Sequence, residues 1–431
     1  MVKKEETLKG LEGKRILIWG YGREGKSTES FLKTHVNASI SVFEGKPEEL
    51  DDAGYDMIIK SPGIPYETDD DRFTSQTEIF LECFRDITVG ITGTKGKSTT
   101  SAMCAQLFKE LPGKKVILVG NIGLPALDHF DEIDDDTYVV YEMSCHQLRS
   151  LRTSPHIAVF LNLFEEHLDY YVTMEKYFAA KANIAKNQLE GDICICGENV
   201  PYIESKAKKV VIAPPAADGG GDEGTDKTVE GIYGKFKEYS LGILGEHNVL
   251  NANFAAYIAG EIFGLGDDAI SKALAEFKGL PHRLYCLGEY DGRIFYDDSI
   301  STIPNATIEA LAAVKNAQCV IVGGMDRGIS YELLTEYIQN NPQYIYILCY
   351  ASGKRIYESV SELENTHYVE DLRRAVELAK KLTLPGRACI LSPAAASYGY
   401  FKNFEERGDR FAEYVRECPI HSQFIKNQDL E

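Results

Sequence analysis

Ile87-Thr88-Val89-Gly90-Ile91-Thr92-Gly93-Thr94-Lys95-Gly96-Lys97-Ser98-Thr99 decides the fold. Its first six residues form an apolar run of strand length. Glycines and hydroxyl residues then open a helix from about Lys97. A strand that passes through a Gly-rich turn into a helix aims backbone N–H groups, and the positive helix end, at one spot suited to phosphate oxygens. In that arrangement the Lys97 ammonium neutralises the β- and γ-phosphates and the Ser98 hydroxyl ligates Mg2+. The general phosphate-loop pattern is incompletely matched, because its first glycine falls at Ile91. The plainer alternative is a turn that only caps a helix; the Gly-Lys-Ser-Thr tail behind a strand speaks for phosphate.

Outward from this stretch, apolar runs alternate with amphipathic ones. Upstream, residues 15–20 (RILIWG), 39–44 (SISVFE) and 56–60 (DMIIK) read as strands, with a helix over Ser27–Lys33. Downstream, 114–120, 137–144, 156–163, 192–197 and 208–213 read as strands, and Gly245–Phe263 as one long helix ending near Gly264. A third series follows Gly279-Leu280-Pro281, with strands at 293–298, 317–324, 344–350 and 387–393. Strands alternating with helices predict an α/β protein of parallel sheets. The three series predict three sheets in three domains, 1–86, 87–280 and 281–431. Pro214–Lys227 reads as a Gly/Asp-rich surface loop.

Composition bounds the function. The chain has 431 residues, which at roughly 100–200 residues per domain suggests about three domains. With 44% hydrophobic and 26% charged residues, a wholly disordered chain is excluded. The formal charge of −20 argues against a protein whose task is gripping nucleic acid or anionic lipid. No apolar run approaches the roughly 20 residues that span a bilayer, and the polar start lacks a signal-peptide core. The expectation is a cytoplasmic chain without membrane insertion, its ten cysteines reduced. The only close cysteine pair is Cys194 and Cys196, without matching zinc ligands.

Further motifs carry two readings each. Gly20-Tyr21-Gly22-Arg23-Glu24-Gly25, with Glu44 ending the next strand, fits a dinucleotide-binding fingerprint or a tight turn without ligand; any nucleotide diphosphate would suit it, so NAD is not implied. Glu142, at the end of the strand in Tyr141–Gln147, is a metal ligand or a solvated loop carboxylate. His167, with Asp169 to orient it, ligates a second metal or begins an acid-rich surface helix. Lys181, after Ala179-Ala180, would by position alone be a surface charge. Asn248 and Asn251, one helical turn apart, face an adenine edge or cap the helix. In the third series, Pro281-His282-Arg283, Asp297-Asp298-Ser299, Gly323–Gly328, Ser392–Ser397 and Phe401–Gly408 cluster at strand ends and suggest one rim.

In this order, over essentially the whole chain, the motifs resemble the Mur ligase family, the ATP-dependent amino-acid ligases of peptidoglycan synthesis. The resemblance rests on GTKGKST, GNIGLP (120–125), the Glu-x-Ser-x-x-Gln run, His-Asn-x-x-Asn, Pro-His-Arg and the SPAAAS…FKNFEERG ending. It implies a Rossmann-like N-terminal domain, a P-loop ATPase-like central domain and a Rossmann-like C-terminal domain. It further implies glutamate, D-glutamate first, joined to UDP-N-acetylmuramoyl-L-alanine through an acyl phosphate by a monomer. ATP is then the cofactor, with one or two Mg2+ ions that Mn2+ can replace.

The same resemblance assigns residues. Gly20, Gly22, Arg23, Glu24, Glu44, Ser61, Pro62 and Gly63 hold the uridine nucleotide, and Asn121, Ser144 and Gln147 the sugar-peptide. Gly93, Thr94, Lys95, Gly96, Lys97, Ser98 and Thr99 take the phosphates of ATP, Asn248 and Asn251 its adenine, with Arg283 and Asp298 also on the nucleotide. Ser98 and Glu142 hold one metal; His167 and a carbamylated Lys181 serve a second; Lys97, His167 and Lys181 are the catalytic set. Thr302, Arg327, Ser397, Tyr398 and Phe404 receive the amino acid. Three departures fall in that last region. Ile300 and Arg327 stand where D-glutamate-adding members usually carry Lys, and Gly399 where they often carry Asp. A branch with a similar ending adds L-glutamate, so that or another amino acid is the first rival. A non-catalytic nucleotide-binding sensor is the second. Folate polyglutamylation is a related ligase reading, against which the first-domain glycine loop speaks.

Overall fold

The computed structural model describes residues 2–121, 124–214, 232–233, 237–245 and 247–417. Ile122 and Gly123 of the 120–125 run, Glu246, and the 214–227 loop beyond Pro214 lie outside them. The chain forms two compact units, residues 1–241 with 246–277, and 242–245 with 278–431.

The first unit holds two parallel sheets. One contains β1 (Arg15–Trp19), β2 (Ser39–Phe43), β3 (Met57–Lys60) and β4 (Phe73–Thr74), in the order β2-β1-β3-β4. β1 is buried along Ile16–Trp19, as an unbroken apolar run in a parallel strand demands. The chain runs from β1 out to β2 and then crosses β1 to reach β3, so a crevice opens beyond the carboxyl ends of β1 and β3. Gly20 and Ser61 stand there, joined by Ser61 Oγ donating to the Gly20 carbonyl at 2.9 Å.

The other sheet contains β5 (Thr88–Thr92), β6 (Lys115–Gly120), β7 (Thr137–Glu142), β8 (Ile157–Phe160), β9 (Ile193–Gly197), β10 (Lys208–Ile212) and β11 (Ile232–Tyr233). Its order is β11-β10-β9-β8-β5-β7-β6. Here too the chain reverses across β5, so the carboxyl ends of β8, β5 and β7 frame the second crevice. One apolar core joins the layers of both sheets, from Ile16 and Phe31 through Phe80 and Phe84 to Phe130 and Phe160.

The second unit holds one sheet of β12 (Tyr285–Tyr290), β13 (Arg293–Asp297), β14 (Ala317–Gly323), β15 (Ile345–Cys349), β16 (Thr366–Val369) and β17 (Ala388–Leu391). The order is β12-β13-β17-β14-β15-β16, with only β12 antiparallel. The α/β class and the three separate sheets are as the sequence predicts.

Several boundaries differ. The helix expected at Ser27–Lys33 spans Arg23–His35. The strand expected through residue 144 stops at Glu142, because Ser144 caps the helix Cys145–Leu148. The strand expected to run to 163 ends at Phe160. The helix expected over Gly245–Phe263 is α-helical over His247–Tyr257 and widens into a π turn at Ile258–Ile262, where the Phe263 N–H reaches the Ile258 carbonyl.

A Cβ placed on Gly25 would run into the Gly20 carbonyl oxygen, which is backbone and has little room to yield. Gly25→Ala is therefore expected to lower stability by about 1–3 kcal/mol, read as a lower urea midpoint with an unchanged m-value.

Candidate active site

β5 delivers Gly93 and Gly96 with φ of +156° and +84°, the latter in the left-handed range that a side chain resists. Gly96 precedes the helix Lys97–Phe108 and supplies no side-chain cap. The first-turn N–H groups of such a helix are the ones left for an anion. Asn162, just past β8, pins the loop. Its carbonyl accepts the Thr94 N–H at 3.0 Å, its Oδ1 accepts the Lys95 N–H at 2.9 Å, and its Nδ2 donates to the Lys95 carbonyl at 3.0 Å. Of the seven expected phosphate-loop residues, Thr94 and Lys95 thus turn their N–H groups to the protein.

Two lysines converge on one carbonyl. Lys97 Nζ donates to the Gly93 and Thr94 carbonyls, each at 2.9 Å, and Lys181 Nζ donates to the Gly93 carbonyl at 2.7 Å. Lys181 lies on the helix Met174–Lys186 and is 1% exposed, so the sequence position that suggested a surface charge misled. Burial, reinforced by the neighbouring Lys97 charge, pushes its ammonium down to about 7.

Glu142 closes β7 and is fully buried. Its Oε1 accepts Asn121 Nδ2 at 3.0 Å, while its Oε2 has no partner. A buried carboxylate oxygen without a donor is costly unless a cation or ligand completes it. No group of three or more His, Cys, Asp or Glu side chains able to hold a metal exists among the described residues. Mg2+, however, commonly takes one or two protein ligands and fills its shell with phosphate oxygens and water. Ser98 and Glu142 fit that role. His167 holds a left-handed backbone (φ +56°), and its ring lies 5.6 Å from that of His146 and 6.0 Å from that of Tyr177.

A cavity of about 310 Å³ lies between the two sheets of the first unit. Arg23, Glu24, Pro62 and Gly63 face it from one sheet, and Asn121, Ser144 and Gln147 from the other. Seven residues expected at the uridine nucleotide and sugar-peptide are thereby brought together. Gly20 is tied to Ser61 beside them; Glu44 stands exposed beyond β2 and does not line the cavity. Asn248 and Asn251 are buried and joined, Asn251 Nδ2 donating to Asn248 Oδ1 at 3.0 Å. A Cβ on Gly96 would fall 2.5 Å from Asn251 Oδ1, so this pair abuts the phosphate loop.

In the second unit, Arg327 donates to the Thr302 carbonyl at 3.2 Å, bringing two of the expected amino-acid residues together. Ser397 is buried and Tyr398 exposed, and the Phe404 carbonyl accepts Ser299 Oγ at 2.8 Å. Asp298 is buried against Ser392, and burial raises its carboxyl to about 6; Arg283 is exposed.

Known proteins are similar to this chain. The Mur ligase middle domain matches residues 91–259. The UDP-N-acetylmuramoylalanine–D-glutamate ligase of Geobacillus kaustophilus is 34% identical over 390 residues, covering 86% of this chain and 85% of its own. The enzyme of that name from Enterococcus hirae is 31% identical and covers 97% of this chain and 100% of its own. The chain belongs to the Mur ligase family. Among solved structures, UDP-N-acetylmuramate-alanine ligase MurC from Thermotoga maritima shares the fold at 20% identity and a TM-score of 0.56, covering 94% of this chain and 99% of that one.

For this Mur ligase, sequence reasoning named the loop, the strand-end carboxylate and the glycine turn, and missed a histidine, two basic residues and a clamp. His146 lines the cavity, and burial and the facing His167 lower its imidazole. Lys60 is buried, donates to the Ile64 carbonyl at 3.1 Å, and is pushed down to about 8 by burial and Arg149. Arg149 reaches the Tyr66 carbonyl at 2.7 Å. A lysine ending the apolar run Met57–Lys60 was a readable signal; Arg149 and the Asn162 clamp left none. No helix among the described residues is long and apolar enough to cross a membrane.

Proposed function

We propose that this Mur ligase uses ATP to join glutamate, in its D form, to UDP-N-acetylmuramoyl-L-alanine in peptidoglycan precursor synthesis. The observation that carries this is the meeting of Lys97 and Lys181 on the Gly93 carbonyl, in a chain alignable along the full length of a D-glutamate ligase. The substrate carboxylate attacks the γ-phosphorus of ATP and ADP leaves, giving an acyl phosphate. The glutamate amine then attacks that carbonyl, and the tetrahedral intermediate expels phosphate. Three anions must meet, so fixed positive charge matters more than a nucleophilic side chain. Lys97 binds the transferred phosphoryl group, the first turn of its helix holds the other phosphates, and Asn248 with Asn251 reads the adenine.

Residues 1–86 hold the uridine nucleotide, 87–280 the ATP and 281–431 the amino acid, where Arg327 offers a bidentate clamp for a carboxylate. Ser98 and Glu142 would hold Mg2+, and His167 with a carbamylated Lys181 a second ion; bound metal supplies charge neutralisation on the phosphates. The chain acts as a cytoplasmic monomer.

Phosphate release measured with each glutamate enantiomer tests the reading. Turnover is expected only when ATP, the UDP-sugar and D-glutamate are all present. Turnover with L-glutamate alone would overturn the D assignment and favour the second reading, to which Ile300, Arg327 and Gly399 point. ATP binding without acyl transfer to any amino acid would favour a sensor.

A further inference from the structure

The cavity between the two sheets of the first unit contains an acid where an anion is expected. Glu24 sits in the first turn of the helix Arg23–His35 and faces the cavity together with Gln147. It makes no ion pair among the described residues. Its Oε1 accepts Gln147 Nε2 at 2.8 Å.

The orientation of that amide is not adjustable. Gln147 Oε1 accepts the Ser144 backbone N–H at 2.9 Å and lies 3.1 Å from the Ser144 hydroxyl. A backbone N–H can only donate, so the amide oxygen must face Ser144 and the NH2 must face Glu24. One carboxyl oxygen of Glu24 is therefore fixed on Gln147. No hydrogen bond among the described residues reaches the other, Oε2. Burial raises the Glu24 carboxyl, and Gln147 and Arg23, which face the same cavity, offset part of that; a phosphate oxygen placed directly on Oε2 would still set two acceptors of like charge at hydrogen-bond distance. A neutral N–H or O–H would instead complete it.

We propose that Glu24 Oε2 accepts a hydrogen bond from a neutral donor, an amide N–H or a hydroxyl, on the sugar-peptide part of the substrate, with the diphosphate elsewhere in the cavity. This rests on the UDP-sugar ligase reading above and assigns Glu24 a specificity-determining contact within it.

Glu24→Gln reverses the polarity at this point without changing shape. Its amide oxygen must turn to Gln147, which leaves its NH2 facing the substrate, so an acceptor becomes a donor. Direct titration calorimetry with UDP-N-acetylmuramoyl-L-alanine is the test, alongside the KM for ATP. Glu24→Gln is expected to weaken binding of the UDP-sugar at least tenfold and to leave the KM for ATP within twofold. Glu24→Met, which removes the acceptor altogether, is expected to weaken it too, with thermal midpoints recorded for both variants. Unchanged or tighter binding by Glu24→Gln would overturn the proposal, tighter binding being the sign of a phosphate at Oε2. A wild-type chain that does not bind the UDP-sugar would overturn the ligase reading itself, a distinct result. Replacing the alanyl amide by an ester tests one of these donors: the Glu24→Gln penalty vanishes with this analogue if the alanyl N–H is read, and persists if a hydroxyl or the acetamido N–H of the sugar is.

Discussion

Lys97→Ala is expected to lower kcat by about 10³-fold, measured as single-turnover phosphate release under saturating ATP. Lys97 begins the helix behind the phosphate loop, and its Nζ rests on the Gly93 and Thr94 carbonyls at 2.9 Å each. These two partners are neutral, so they hold the ammonium at the loop without cancelling its charge. Negative charge on the transferred phosphoryl group spreads over its oxygens in the transition state, and a pre-placed cation is stronger there than in water. Truncation removes that charge while leaving the loop clamp at Asn162 in place. The thermal midpoint is accordingly expected to change little. Lys97→Arg is expected to recover only part of the rate, because a planar guanidinium does not reproduce a compact ammonium held by two carbonyls. A kcat within tenfold of the parent for Lys97→Ala would remove Lys97 from the phosphoryl role.

The parts of this site that were legible are those whose chemistry is local in sequence. The phosphate loop is a contiguous strand, turn and helix, and Glu142 follows from its place at the end of a buried parallel strand. What sequence concealed depends on tertiary burial. Lys181 looks like any helix lysine until its helix is packed against β5, and Asn162 becomes a clamp only because β8 lies beside β5 in the sheet. The strands that periodicity missed, β4, β11, β12 and β16, are all at sheet edges. An edge strand pairs on one side only and needs no continuous apolar run, so its pattern fades into the loops around it. The π turn at Ile258–Ile262 is hidden for another reason: its residues carry the same apolar spacing as the α-helix it extends.

Activity that depends on dissolved CO2, and depends on it more at low pH, is expected from Lys181. Its ammonium is buried, lies 4.9 Å from the Tyr177 ring centre, and shares the Gly93 carbonyl with Lys97. Burial and that second cation bring it down to about 7. About half the amines are then uncharged at neutral pH, against roughly one in 2,500 for an ordinary lysine. The free amine attacks CO2 and releases a proton, leaving a carbamate that replaces a buried cation by an anion able to meet a metal ion. Below pH 7 protonation removes the nucleophile, so stripping CO2 should depress the wild-type rate more at pH 6 than at pH 8. Lys181→Ala is expected to lose about 10²–10³-fold in kcat, to be insensitive to CO2, and to regain part of its rate with formate or acetate. The sign in the unmodified chain can be checked separately. A folded pKa of about 7 against roughly 10.4 unfolded means the folded state holds the proton less well. The resulting penalty is complete below pH 7 and is relieved as pH rises from 7 towards 10. Chemical denaturation in CO2-free buffer should show that rise in the parent and a smaller one in Lys181→Met. Equal slopes, together with a CO2-independent wild-type rate, would return Lys181 to the role of a structural cation.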